Sequence, residues 1–327
     1  MTKKLIGIGS AVCAVAAIGI VFAVYYSHAE RRAEHAPAAM REGHWPRSMP
    51  AVALSYPPTG DPVLVGAGDI ANCKILSGAE ATAKLIDAVP GEVFTAGDDA
   101  MPAGTAEQFR DCYGPTWGRF KDRTRPATGN HEFQSDGAAP YFDYFGAAAG
   151  DPLFGYYSYD IGAWHVAVLN SECEDVGGCQ AGSTQEQWLR QDLESHPAAC
   201  TLAYWHKPLF SSGAAHGDDP DMKPLWDDLY AAHATLVING HDHDYERFAP
   251  QDPNGKADPA HGIREFVVAT GGNHERLFAA SPQPNSQVRM TGTFGVIKLT
   301  LHPKSYDWEF IPEAGKSFRD SGSGNCQ

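Results

Sequence analysis

Five times between residues 63 and 243, a short apolar run ends on a side chain able to bind a metal ion. Val63-Leu64-Val65-Gly66-Ala67 leads into Gly68-Asp69, and Glu92-Val93-Phe94-Thr95-Ala96 leads into Gly97-Asp98. Arg125-Pro126-Ala127-Thr128 precedes Gly129-Asn130-His131-Glu132, residues 200–205 end near His206, and residues 235–238 lead into Asn239-Gly240-His241-Asp242-His243. Helix signals stand between these runs: Ser77 with Glu80 before residues 81–88, Thr105 with Gln108, Ser183 with Glu186, and the apolar pattern of 222–232. A single Gly-Asp after a strand is usually a turn. Its recurrence between capped helices predicts an α/β sandwich, central β-sheets flanked by helices, with a site at the carboxyl ends of the strands.

The rest of the chain fits that architecture. Residues 156–161 and 164–169 read as strands. Beyond residue 262 the helix signals stop, and 264–270, 292–301 and 305–311 read as strands of an enclosing sheet. Residues 313–327 look loose unless Cys326 ties them down, and neither an internal repeat nor a separate second domain is visible.

The 43% apolar content supports a real core and excludes a disordered chain. The net charge is −15, and residues 1–60 carry six bases against three acids, so the remainder stands at −18. That acidity excludes non-specific nucleic-acid binding, which needs clustered Lys and Arg, and leaves room for a small phosphorylated substrate beside a metal.

Residues 5–26 form an apolar run behind Lys3 and Lys4. At about 1.5 Å per residue a helix of that length crosses a hydrocarbon core of about 30 Å. Ser27-His28-Ala29 also supplies the small residues that cleavage after Ala29 would need. An uncleaved membrane anchor and a cleaved signal both stay open, and both export residues 30–327. The expected division is 1–29 anchor or signal, 30–61 linker, 62–312 folded domain and 313–327 tail. Six cysteines remain besides Cys13, an even number suited to an oxidising compartment. Of the 15 possible pairings, Cys173 with Cys179 is a natural small loop.

The polar exits supply two carboxylates, Asp69 and Asp98, one amide, Asn130, and three imidazoles, His206, His241 and His243. Such a mixed N/O set suits Zn, Fe, Mn or Co and suits Ca poorly. One carboxylate can bridge two ions. His241 and His243, two apart, would share one side of an extended segment.

In their order and spacing these blocks resemble the calcineurin-like metallophosphoesterases, and within them the purple-acid-phosphatase-like branch. The resemblance implies a metallophosphoesterase-type sandwich over 62–312 and a dinuclear centre. Metal 1 would take Asp69, Asp98 and His243; metal 2 would take Asp98, Asn130, His206 and His241. The implied reaction is hydrolysis of small phosphoric esters, monoesters first, by metal-activated water. Phosphodiester hydrolysis and a non-catalytic binding role with a degenerate site are the alternatives. His131 and His216 are the expected catalytic side chains beside the phosphoryl group, Glu132 is expected to support the site, and Lys207 adds charge beside His206.

Two departures stand out. Asp69-Ile70-Ala71 lacks the histidine common in the wider family, and Met101 falls where purple acid phosphatases have their iron-binding tyrosine. Asp99 is expected to point away from Asp98. Tyr245-Glu246-Arg247-Phe248 is the candidate rim of the pocket.

Overall fold

The computed structural model describes residues 60–327; the apolar run at 5–26 and nearly all of the linker lie outside the described residues. Two sheets form the frame. One runs Ser321–Asn325, Ser305–Pro312, Gly295–Leu301, Val63–Ala67, Glu92–Ala96, Thr124–Ala127. The other runs Ser286–Met290, Tyr245–Phe248, Arg264–Val268, Leu236–Asn239, Cys200–Tyr204, Trp164–Val168, Tyr157–Ile161. In each, the strands that lead to the polar exits are mutually parallel.

Alternation along the central strands explains the layers. Val166, Val168, Leu202, Tyr204 and Ile238 join a core with Leu64, Phe94 and Trp308 of the opposite sheet. The intervening Ala167, Ala203 and Val237 pack outward on Leu189, Leu225, Trp226 and Leu229 from the helices Thr184–Ser195 and Lys223–Ala231. Strands covered on both faces have to be apolar throughout, which is why these runs read so clearly.

Local signals held unevenly. Thr105 and Gln108 form a full capping box, yet the helix they open is only Ala106–Gln108 before a wider turn over Phe109–Tyr113. Ser183 caps the Glu186 N–H at 3.3 Å, while the Glu186 carboxylate turns to Gly182. Ser77 is the first residue of helix Ser77–Asp87 and Leu76 its cap, so that box does not form. The segment 313–327 is tied down: Ser321–Asn325 pairs with the Ser305–Glu309 stretch, and Cys326 is bonded to Cys200. All six cysteines among the described residues are paired, the others as Cys73–Cys112 and the expected Cys173–Cys179.

Candidate metal centre

Asp69, Asp98 and Asn130 leave neighbouring parallel strands of one sheet, and His206 and His241 leave neighbouring parallel strands of the other. Gly68 N–H donates to Val268 O at 2.8 Å, joining the two rims. Among the described residues, eight non-glycine positions have positive φ, and four are Asp69 (59°), Asp98 (56°), His241 (77°) and His243 (42°). L-residues adopt that region at a cost, and such strain gathers at functional sites. The left-handed turns also overturn the expectation that His241 and His243 share a side by alternation. His241 turns to His206, and His243 turns to Asp69.

His206 Nε2 is the meeting point of one set. It lies 3.2 Å from Asn130 Oδ1, 3.2 Å from Asp98 Oδ2 and 3.1 Å from His241 Nδ1. Its other nitrogen, Nδ1, stands 2.8 Å from Ala96 O; a carbonyl only accepts, so the proton sits there and the Nε2 lone pair faces the cluster. His243 repeats the arrangement, with Nδ1 donating to His274 O at 2.6 Å and Nε2 lying 3.1 Å from Asp69 Oδ1. Asp69 Oδ1 is buried without a hydrogen-bond partner. Ligand atoms of Asp69, Asp98 and His206 all fall within 4.8 Å of one another, which brings the two sets together. Lone pairs turned on lone pairs in a buried place call for a cation, and the mixed N/O donor set fits one. The same pressure shows in proton affinity. Burial opposes charge on His206, but the Asp98 carboxylate outweighs it and lifts the pKa to about 10. Burial, then the charge on His206, pushes His241 well down.

Backbone contacts hold the loops. The Glu132 carboxylate accepts N–H bonds from Asp98 and Asp99 at 2.9 Å, Gly129 at 2.8 Å and Ala100 at 3.3 Å. The close approach requires glycine: a Cβ on Gly129 would stand 2.3 Å from Asp98 Oδ1, and one on Gly240 2.8 Å from Asp69 Oδ2. His241 N–H donates to Asp69 Oδ2 at 2.8 Å and His131 N–H to Asp98 Oδ1 at 2.9 Å.

Around the mouth, His131 Nε2 lies 3.6 Å from Asp98 Oδ2, with Nδ1 engaged by Pro102 O. The His216 ring stacks on His241, centroids 4.0 Å apart. Lys207 is taken by Glu172 at 2.9 Å. Asp99 is fully buried, and that burial pushes its carboxyl well above the usual range. The expected rim 245–248 is instead a strand: Tyr245 and Phe248 are buried, and the Tyr245 hydroxyl donates to Asp320 at 2.7 Å. The rim contains residues that sequence reasoning missed, Asn273, His274 and Arg276, on the loop after Arg264–Val268. Gly271-Gly272 at the end of that strand was the available signal.

A second gathering, His165 with Asp192 and His196, lies apart from the strand exits. His165 sits between Asp160 and Asp192, at 2.8 Å from each, a spacing that a shared proton satisfies.

Residues 42–245 match the family described as calcineurin-like phosphoesterase. The chain belongs to that family. Its relatives put it on the purple-acid-phosphatase-like branch. Purple acid phosphatase 22 of Arabidopsis thaliana is 33% identical over 158 residues, covering 45% of this chain and 34% of that protein. Probable inactive purple acid phosphatase 9 of the same plant is 25% identical over 182 residues, 48% of this chain and 26% of that protein. The chain thus matches about a third or less of these relatives' length. In fold it is similar to purple acid phosphatase PPD1 from yellow lupin (Lupinus luteus) seeds, with TM-score 0.67 and 19% identity over 82% of this chain and 54% of that one. GAP50, the anchor in the inner membrane complex of Plasmodium, gives TM-score 0.63 and 13% identity over 82% and 90%. Those two likenesses carry the metallophosphoesterase fold alone.

Proposed function

We propose that this family member hydrolyses phosphoric monoesters at two metal ions, one held by Asp69, Asp98 and His243, the other by Asp98, Asn130, His206 and His241. The observation that carries the reading is the approach of Asp98 Oδ2, Asn130 Oδ1 and His241 Nδ1 to His206 Nε2, all within 3.1–3.2 Å. When bound, such ions supply Lewis acidity at a phosphoryl oxygen and lower the pKa of water. Asp98 would bridge, Glu132 keeps both of its loops in register, and His131 and His216 offer imidazole nitrogens to the phosphoryl oxygens from the rim. The donor set supports Fe, Zn, Mn or Co, and the acidic surface supports a small substrate drawn in by the metals rather than nucleic acid.

Export of the folded domain is supported by three disulfides. Residues 5–26 would act as its anchor or signal; among the described residues no helix is long and apolar enough to cross a membrane.

The test uses full-length protein and 4-nitrophenyl phosphate. Turnover should vanish on chelation and return with one of the four metals. Metal-loaded protein without turnover would favour a binding role, and faster cleavage of bis(4-nitrophenyl) phosphate would favour a diesterase.

A further inference from the structure

Arg276 is a cation at the mouth that the reading above leaves without a task. Its backbone is pinned to the site: Arg276 N–H donates to His243 O at 3.2 Å, and Thr291 Oγ1 donates to Arg276 O at 2.7 Å. Its guanidinium touches His216 Nε2, and the His216 ring in turn stacks on His241 at 4.0 Å. The guanidinium is therefore linked to the proposed ligand His241 through the His216 ring rather than touching a ligand itself.

The neighbouring cation Lys207 is committed. Next to His206 in the chain, Lys207 pairs with Glu172 at 2.9 Å. Among the described residues no carboxylate lies within ion-pairing distance of Arg276, and its side-chain contact is His216. In a domain this acidic, an arginine kept clear of every carboxylate leaves its planar fork of donors for an oxyanion from outside.

We propose that Arg276 binds a second anionic group, a phosphate or a carboxylate carried on the leaving group of the substrate. The proposal rests on the hydrolase reading and narrows it to esters or anhydrides whose leaving group is itself charged.

The experiment compares wild type, Arg276→Ala and Arg276→Lys on 4-nitrophenyl phosphate, inorganic pyrophosphate and 2-phosphoglycolate. For Arg276→Ala the ratio of kcat/KM on an anionic substrate to that on 4-nitrophenyl phosphate should fall about tenfold or more, mainly through KM. Lysine should restore part of it, since it keeps the charge and loses the fork. A fall confined to pyrophosphate identifies phosphate as the group; one confined to 2-phosphoglycolate identifies carboxylate. An unchanged ratio for both overturns the proposal. Should wild type turn over none of the three, the hydrolase reading fails and equilibrium binding of pyrophosphate decides the role of Arg276. A Kd raised about tenfold in Arg276→Ala supports it, and an unchanged Kd overturns it.

Discussion

The Met101 sulfur accepts a hydrogen bond from the Asn273 amide at 2.9 Å, and that amide nitrogen stands 3.3 Å from His243 Nε2. A thioether therefore borders the proposed metal 1 where the resemblance would have a tyrosine. Tyr245 does not substitute, because its hydroxyl is engaged by Asp320. Iron-loaded protein should lack an intense visible tyrosinate band and still turn over substrate, since water activation requires no phenolate. A visible spectrum with metal analysis on active protein checks this, and a strong tyrosinate band would sink it.

The close approach of Asp98 to both His206 and Asp69 predicts a shared loss. Asp98→Ala should lower both metal equivalents and cut turnover by roughly a hundredfold or more. His241→Ala should chiefly cost the second equivalent. Elemental analysis of the purified variants decides it; full occupancy in both would remove the ligand assignment.

His165 should make stability pH-dependent. Burial opposes its charge, but Asp192 and then Asp160 outweigh burial and raise its pKa, with the His196 ring stacked 4.9 Å away. A raised folded pKa means stabilisation that is complete below the unfolded value of about 6.5 and lost as pH climbs through the folded value. Asp192→Asn should cost about 3 kcal/mol near pH 5.5, and the gap to wild type should narrow at alkaline pH. Urea unfolding at the two pH values measures it; equal gaps would refute the charged pair.

The Cys200–Cys326 bridge spans 126 residues and fastens the terminal strand Ser321–Asn325 to the opposite sheet. Cys326→Ser should lower stability by about 2–5 kcal/mol and open the end of the chain to proteolysis. Mass mapping without reduction should find all three bridges, and six free thiols in natively produced protein would contradict them.

Strands of the central sheets were legible because burial on both faces favours apolar runs, as in Val63–Ala67. Ser321–Asn325 was not legible. It is glycine and serine up to Asn325, so its pairing comes from the neighbouring strand and a disulfide rather than from its own pattern. Tyr245–Phe248 was misplaced at the rim because a short strand of mixed residues carries too few positions to show its alternation.

By itself the sequence determined which residue types stand at which strand exits, since a glycine before Asp69, Asp98, Asn130 and His241 is local information. It also determined the even number of cysteines besides Cys13 and the missing tyrosine at Met101. Tertiary structure alone decided that His241 and His243 part company, because their side chains and backbone meet Asp69, His206 and His274 from other loops. It alone brought Asn273 and Arg276 to the mouth. Those side chains come from a loop well over a hundred residues from Asp98, and only the facing of two sheets sets the distance between them.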